Sequence, residues 1–279
     1  MNKYDFFKNK RVLVTGGSGF IGGCFIRRLI SNSNCLIFNI DKLNYASSNA
    51  EEMILKDEPR YKLLKYDLSI SKEVEIAINE AKPDMVIHFA AESHVDRSIF
   101  NPRTFFESNI LGTFNLLVTL NEYLNKQSNI FKREFIFHHV STDEVYGSLG
   151  PKGKFKEETP YDPRSPYSAS KASSDHLVMA WFHTYGFPIK ISNCSNNYGP
   201  RQFPEKLIPL TIKKALSGKK IPIYGNGQNI RDWLFVEDHV NALLLIAKKG
   251  KVGQSYCIGA KNELTNYEIV SNICEIFDK

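Results

Sequence analysis

Three glycines, each three residues from the next and set between an apolar run and a helical pattern, constrain this chain more than any other feature. VTGGSGFIGG places Gly16, Gly19 and Gly22 directly after RVLVT (11–15). At a strand-to-helix turn, absent side chains let backbone amides and the positive end of the helix approach a pyrophosphate. Tight turns also use glycine for steric reasons alone, so the flanks decide, and here a strand precedes and the helical FIRRLI follows. About twenty residues on, Asp41 closes the second apolar run, where a carboxylate accepts hydrogen bonds from an adenosine ribose and repels a 2′-phosphate. NAD is therefore expected rather than NADP. Lys42 works against that preference, as a cation able to pair with phosphate, and the plain alternative for Asp41 is a strand-end turn residue. Asp67 in KYDLS has two readings: contact with adenine from the side, or a cap for the helix that begins near Ser71.

Beyond the loop, short β-branched or aromatic runs alternate with longer helical ones: CLIFNI (35–40), YKLLKY (61–66), DMVIHFA (84–90) and EFIFHHVS (134–141). That rhythm predicts an α/β fold, a Rossmann-type doubly wound parallel sheet. Helices are expected after the glycines, over 102–124 and over 167–185. After about residue 190 the pattern changes to Gly- and Pro-punctuated NNYGPRQFPEKLIP and KKIPIYGNGQNIRDW, then helical VEDHVNALLLIAKK and a closing helix near 265–277. The expected division is 1–190 for an NAD-binding Rossmann domain and 191–279 for a smaller α/β substrate-binding lobe, some of whose elements return to the first domain. No flexible linker or repeat separates the two parts.

With 279 residues, 42% of them hydrophobic, the chain can bury a full core. No run approaches the roughly 18 apolar residues of a membrane helix, and MNKYDFFKNKRVLV lacks a signal peptide's apolar centre, so a soluble cytoplasmic protein with no membrane partner is expected. Cys24, Cys35, Cys194, Cys257 and Cys274 are odd in number and free of CxxC spacing, which suggests reduced thiols. A net charge of +6 favours an anionic partner, but Lys and Arg are dispersed, so nucleic acid is not expected. His138 and His139 are adjacent in a strand and point to opposite faces. His176 and His183 share a helix face without other ligand types, and no metal is expected.

Two clusters carry candidate chemistry. Tyr167 and Lys171 lie four apart at the start of a helix and share a face, so the ammonium can hold down the proton affinity of a phenol whose ordinary pKa is about 10. The second cluster is STDEVYG, with Ser141, Thr142, Asp143 and Glu144 following EFIFHHV at the carboxyl end of a strand. Ligands of open α/β sheets bind at that edge. Adjacent carboxylates on a surface are ordinarily a solvated pair. At a cofactor cleft, two acids in different environments can instead divide the acid and base roles.

With these residues in view, the chain resembles the dTDP-glucose 4,6-dehydratase family, of the extended short-chain dehydrogenase/reductase type, over essentially its whole length. The matching segments are VTGGSGFIG, DKLNYAS, HFAAESHVDRSI, NILGTFNLL, VSTDEVYG, SPYSASKASSDHLV, NCSNNYGPRQFPEKLIPL, IPIYGNGQNIRDWLFVEDH and YCIGAKNE. Related epimerases and decarboxylases share the glycine loop and YxxxK, so Asp143 directly before Glu144 selects the dehydratase.

The resemblance implies a nucleotide-sugar 4,6-dehydratase, a step of deoxysugar (rhamnose-type) biosynthesis. Tyr167 takes the C4 hydroxyl proton while hydride leaves C4 for NAD, with Lys171 and Thr142 orienting tyrosine and sugar. Glu144 removes the C5 proton, a protonated Asp143 donates to the departing C6 hydroxyl, and the hydride returns to C6. Residues carried over for the cofactor are Gly16, Gly19, Phe20, Ile21, Gly22, Asp41, Lys42, Leu43, Asn44, Asp67, Leu68, Phe89, Ala90, Ala91, Ser108, Tyr167, Lys171 and Asn197. For the nucleoside-diphosphate glucose they are Ser93, Thr142, Asn196, Lys206, Leu207, Pro222, Ile223, Tyr224, Arg231 and Asn266. Arg231 is the expected diphosphate partner, its planar fork suiting two phosphate oxygens, with a surface ion pair as its alternative. Leu207, Pro222 and Ile223 have lobe packing as theirs.

Whether the base is thymine or uracil stays open. By resemblance the 102–124 and 167–185 helices pair across a homodimer, although their apolar faces can equally cover their own sheet. Family members also run on past position 279 through an Arg-Pro-Gly-His-Asp motif at the diphosphate. Either the sequence is a fragment of a longer chain, or its nucleotide sugar is bound by a reduced lobe. The rivals are a 4-epimerase or decarboxylase of the same fold and a catalytically silent NAD-binding module.

Overall fold

Apolar runs of four to seven residues, bounded by turns, become the inner strands of a parallel sheet. The computed structural model describes residues 3–47, 53–149, 153–223 and 225–277. β1 (Arg11–Thr15), β2 (Leu36–Ile40), β3 (Tyr61–Leu64), β4 (Met85–His88), β5 (Ile136–Thr142), β6 (Ile189–Cys194) and β9 (Gln254–Ile258) hydrogen-bond in the order β3-β2-β1-β4-β5-β6-β9, every pair parallel. β4 and β6 are buried along their whole lengths, which only a sheet covered on both faces permits. One face packs on Phe25 and Leu29 of the helix Phe20–Asn32 together with Leu243 and Leu244 of the helix Val236–Lys249. The other packs on Leu116 and Leu120 of the helix Gly112–Asn125 and on Val178 of the helix Pro166–Tyr185.

The strand order reverses at β1, which lies between β2 and β4. In an open parallel sheet this reversal leaves a crevice beyond the carboxyl ends of the strands. β6 crosses residue 190, and both β9 and the helix Val236–Lys249 belong to the large sheet and its cover. What stands apart is a three-stranded sheet of β7 (Asn196–Tyr198), β8 (Ile230–Phe235) and β10 (Glu263–Thr265), in the order β10-β8-β7, with the helices Leu207–Leu216 and Asn266–Phe277.

The segment expected as one helix over 102–124 is interrupted. A turn of α-helix, Pro102–Phe105, passes into a π-helical stretch, Phe106–Leu111, before the helix Gly112–Asn125. Asn109 supplies the cause: its carbonyl accepts from the hydroxyls of Thr113 at 2.6 Å and Ser174 at 2.7 Å, which compete with the regular ladder. π-turns of this sort commonly mark functional sites. Here the widened turn brings Ser108 to the cleft.

Candidate active site

The glycine turn works by close approach. Gly16 has φ +70°, and a Cβ there would stand 2.7 Å from the backbone of Ala90, after β4. A Cβ on Gly22 would collide with the Gly16 carbonyl, so backbone is packed against backbone. Gly19 is the N-cap of the helix Phe20–Asn32 and offers no side-chain cap. The amides of the first helical turn therefore face the crevice without a side-chain acceptor, the arrangement that receives an anionic group.

Asp41, directly after β2, is buried, and its carboxylate accepts from the amides of Ser18 at 3.0 Å and Leu43 at 2.9 Å. It ties the glycine loop to the strand end while still lining the crevice. Lys42 Nζ lies 3.7 Å from Asp67 and 3.6 Å from Glu92, so its charge is engaged by two carboxylates. Asp67 does not cap a helix: its carboxylate accepts from the Ser69 amide at 2.9 Å, while the helix Ser71–Ala81 begins from Ile70 without a side-chain cap. That removes one of its two readings.

Both catalytic clusters open onto the same crevice, a cavity of about 320 Å³ that runs from the glycine turn to Lys206. Thr142 ends β5, and its hydroxyl accepts from the Glu144 amide at 3.3 Å, starting the 3₁₀ turn Asp143–Tyr146. Tyr167 and Lys171 occupy the first turns of the helix Pro166–Tyr185, which starts sharply: Pro166 is its first residue and Ser165 forms a capping box with Ser168. Lys171 is buried and its ammonium donates to the Val140 carbonyl at 3.0 Å, clamping the helix to β5.

Electrostatics separate the two acids. Burial first, and then the neighbouring Glu144 carboxylate, push Asp143 up to about 7. Burial also raises Glu144, but the cations of Arg231 and Lys206 pull the other way. For Tyr167 the expectation of a lowered phenol does not hold in the chain by itself. Burial, followed by the Glu144 charge, drives its pKa well above 10, and only the Thr142 side chain opposes this. Lys171, itself lowered by burial, spends a proton on Val140 and is not among the influences on the phenol.

Of the residues expected at the cofactor, Gly16, Gly19, Phe20, Ile21, Gly22, Asp41, Lys42, Asn44, Asp67, Leu68, Phe89, Ala90, Ala91, Ser108, Tyr167, Lys171 and Asn197 line the crevice. Leu43 does not: its φ of +55° turns its amide back onto Asp41. On the substrate side Ser93, Thr142, Asn196 and Lys206 line it, whereas Leu207, Pro222, Ile223, Arg231 and Asn266 do not. Leu207 begins the helix after Lys206, Pro222 is exposed, Ile223 packs beside Gly227, and Asn266 donates its amide to the Asn229 carbonyl. Arg231 is exposed on β8, outside the lining, although its charge reaches both acids. Tyr224 lies outside the described residues.

Sequence reasoning missed Tyr45, Ser47, His94, Gln202, Phe203 and Glu205, which also line the crevice. Two signals pointed there: Tyr45 and Ser47 complete DKLNYAS, and Glu205 adjoins Lys206. Arg97 stacks on Tyr45 at 3.6 Å and pairs with Glu205 at 3.1 Å, joining three segments at the cleft's mouth. Among the described residues no helix is long and apolar enough to cross a membrane.

Comparison with known proteins agrees with this geometry. A sequence profile of the family described as GDP-mannose 4,6 dehydratase matches residues 13–278. The dTDP-glucose 4,6-dehydratase of Neisseria gonorrhoeae is 51% identical over 271 residues, 97% of this chain and 78% of that protein. Among solved structures, dTDP-glucose 4,6-dehydratase from Bacillus anthracis in complex with NAD superposes with a TM-score of 0.85 at 42% identity, covering 96% of this chain and 81% of that one. The Streptomyces venezuelae enzyme, also with NAD bound, gives 0.88 at 38% identity over 96% and 81%. UDP-glucose 4-epimerase from Thermus thermophilus gives 0.84 at only 27% identity over 96% and 83%, so the fold is shared more widely than the sequence. By that combination of matched profile, identity and site, this chain belongs to the nucleotide-sugar 4,6-dehydratase family, among its dTDP-glucose 4,6-dehydratases.

Proposed function

We propose that this chain is an NAD-dependent lyase that converts dTDP-glucose to dTDP-4-keto-6-deoxyglucose. One observation carries the reading: a buried phenol with its lysine and an acid pair split by environment share one crevice with a glycine turn shaped for a dinucleotide. The turn's backbone contacts, which a Cβ would fill, and the Asp41 carboxylate fit NAD. Residues 1–190 form its dinucleotide-binding domain, and 191–279 form the lobe that receives the sugar nucleotide, apart from the segments that rejoin the large sheet.

When bound, NAD supplies a reversible two-electron acceptor and a positive ring charge in the cleft that Tyr167 faces. Tyr167, ionised as that ring charge offsets the burial that raises its pKa, takes the C4 hydroxyl proton while C4 gives up its hydrogen with the bonding pair, and Thr142 orients it. The resulting 4-ketone acidifies C5, whose proton Glu144 removes. Asp143, held near neutrality by burial and by its neighbour's charge, gives a proton to the departing C6 hydroxyl, which leaves as water. Glu144 then returns its proton to C5 as C6 takes up the hydrogen and electron pair that C4 gave up, and solvent passes the proton held by Tyr167 back to Asp143. Lys206 lines the substrate side of the crevice, and Arg231 meets the diphosphate from outside it.

The working unit is a homodimer in the cytoplasm. Exposed Phe100, Phe106, Leu111 and Phe114, on the segments from Val95 to Asn125, offer the apolar surface a second copy would cover. Among the described residues no disulfide forms, and thiols kept apart in this way suit a reducing compartment. Incubation with dTDP-glucose and, separately, UDP-glucose tests the reaction. A 4-keto-6-deoxy product from the first supports it, a galactose nucleotide with the C6 oxygen retained means an epimerase, and retained NAD without turnover means a silent module.

A further inference from the structure

Beneath the cleft lies a buried carboxylate for which the reaction scheme has no use. Asp175 stands one helical turn past Lys171 and two past Tyr167, with 1% of its surface exposed. One carboxylate oxygen accepts from the Ser141 hydroxyl at 2.9 Å, the Tyr161 hydroxyl at 2.9 Å and the Asn193 amide at 3.1 Å. The other lies 3.1 Å from His139 Nε2. Two of these donors connect to the acid-bearing turn: Ser141 directly precedes Thr142, and the Asn193 amide also reaches the Thr142 carbonyl at 3.3 Å. Cys194 Sγ, from β6, donates to the Ser141 carbonyl at 3.4 Å and steadies the same segment. A carboxylate without solvent is costly unless donors surround it. What it adds over an apolar filler of the same size is a stiff, charge-assisted joint.

We propose that Asp175 is a positioning residue that joins the helix bearing Tyr167 and Lys171 to the strand end bearing Thr142, Asp143 and Glu144, and so fixes the offset between the phenol and the two acids. The inference rests on the dehydratase reading, in which protons move at C4, C5 and C6 of one hexose while groups on two separate elements stay in register. A misplacement on the order of 1 Å in such a site costs about 100-fold in rate. The charge matters as well as the joint. Lys171 is faced by Asp175 on its own helix, by Cys194 on β6, by His139 on β5 and by His88 on β4. Burial lowers its pKa and Asp175 raises it, so removing the charge lets the ammonium lose its proton at lower pH.

The test is Asp175→Asn, assayed beside the parent with dTDP-glucose across pH. The variant is expected to keep its NAD content and KM, to lose about 100-fold in kcat, and to show the alkaline limb of its kcat profile at lower pH. A merely structural role predicts a lower melting temperature with kcat per NAD-loaded site and the alkaline limb unmoved, and that result overturns the proposal. Where Asp175→Asn fails to fold, Ser141→Ala decides, because it removes one tie and leaves the charge: slower turnover at unchanged NAD content supports the joint, and native turnover overturns it. If the parent itself forms no 4-keto-6-deoxy product, the dehydratase reading and this inference fall together. If the parent works and both variants match it, only the positioning role falls.

Discussion

The cofactor side and the sugar side of the cleft are built by different means. On the first, backbone does the shaping: Gly16 presses on Ala90, Asp41 takes the Ser18 amide, and parallel strand ends set the floor. On the second, three short strands carry exposed side chains such as Arg231. Backbone contacts tolerate almost no substitution, whereas side chains on an open lobe can change the ligand without changing the fold. The comparison with the Thermus thermophilus epimerase fits this division, since its fold matches closely at 27% identity.

The sharpest way to break the contrast is at the acids, where the two sides meet. Glu144→Gln should cut turnover by about 10³-fold while C4 oxidation continues, seen as enzyme-bound NADH by absorbance; product formation at the native rate would remove the base from Glu144. Next in size is Gly16→Ala. Its φ of +70° and the 2.7 Å approach to Ala90 leave no place for a methyl group. A loss of about 3 kcal/mol in stability is expected, together with protein that purifies without NAD, measured by release of the nucleotide on denaturation.

Asp143→Asn sharpens the account through pH. The wild-type carboxyl is raised in the folded state from an ordinary value near 3.8 to about 7. Its contribution to stability is therefore fully present below about 4 and is lost as pH rises through 7. The variant, which has no charge to bury, should gain on the order of 2 kcal/mol relative to wild type between pH 5 and pH 8, read from urea midpoints; parallel stability curves would refute the shift. The smallest effect belongs to the lobe. Arg231→Ala should raise KM by about tenfold with NAD content unchanged, since an exposed cation contributes modestly, and steady-state kinetics measure it.

The same division explains what could be read before any coordinates. Glycine spacing, Asp41, the Tyr167–Lys171 pair and the Asp143–Glu144 pair were legible because each obeys a local rule: a turn, a strand end, a helix face. Five of the strands followed from their apolar runs, and β6 was overlooked because Lys190, Ser192 and Asn193 interrupt its pattern while being buried in the fold. Lys190 is accommodated by donating to the carbonyls of Ile246 and Ala247, a long-range arrangement no window of sequence displays. The π-turn at Asn109 likewise depends on Ser174, which is remote in sequence. On the lobe, Leu207, Pro222, Ile223 and Asn266 were carried over from motif positions, and they do not line the crevice. The phenol's raised pKa was missed because burial, which spacing does not reveal, is its largest cause.

Following a label from C4 tests the central claim most directly. Given dTDP-glucose deuterated at C4, the enzyme should yield a 4-keto-6-deoxy product with the deuterium at C6, because the account has one cofactor and one set of acids serve both carbons in a single crevice. Deuterium returned to C4 with the C6 oxygen still in place would contradict it.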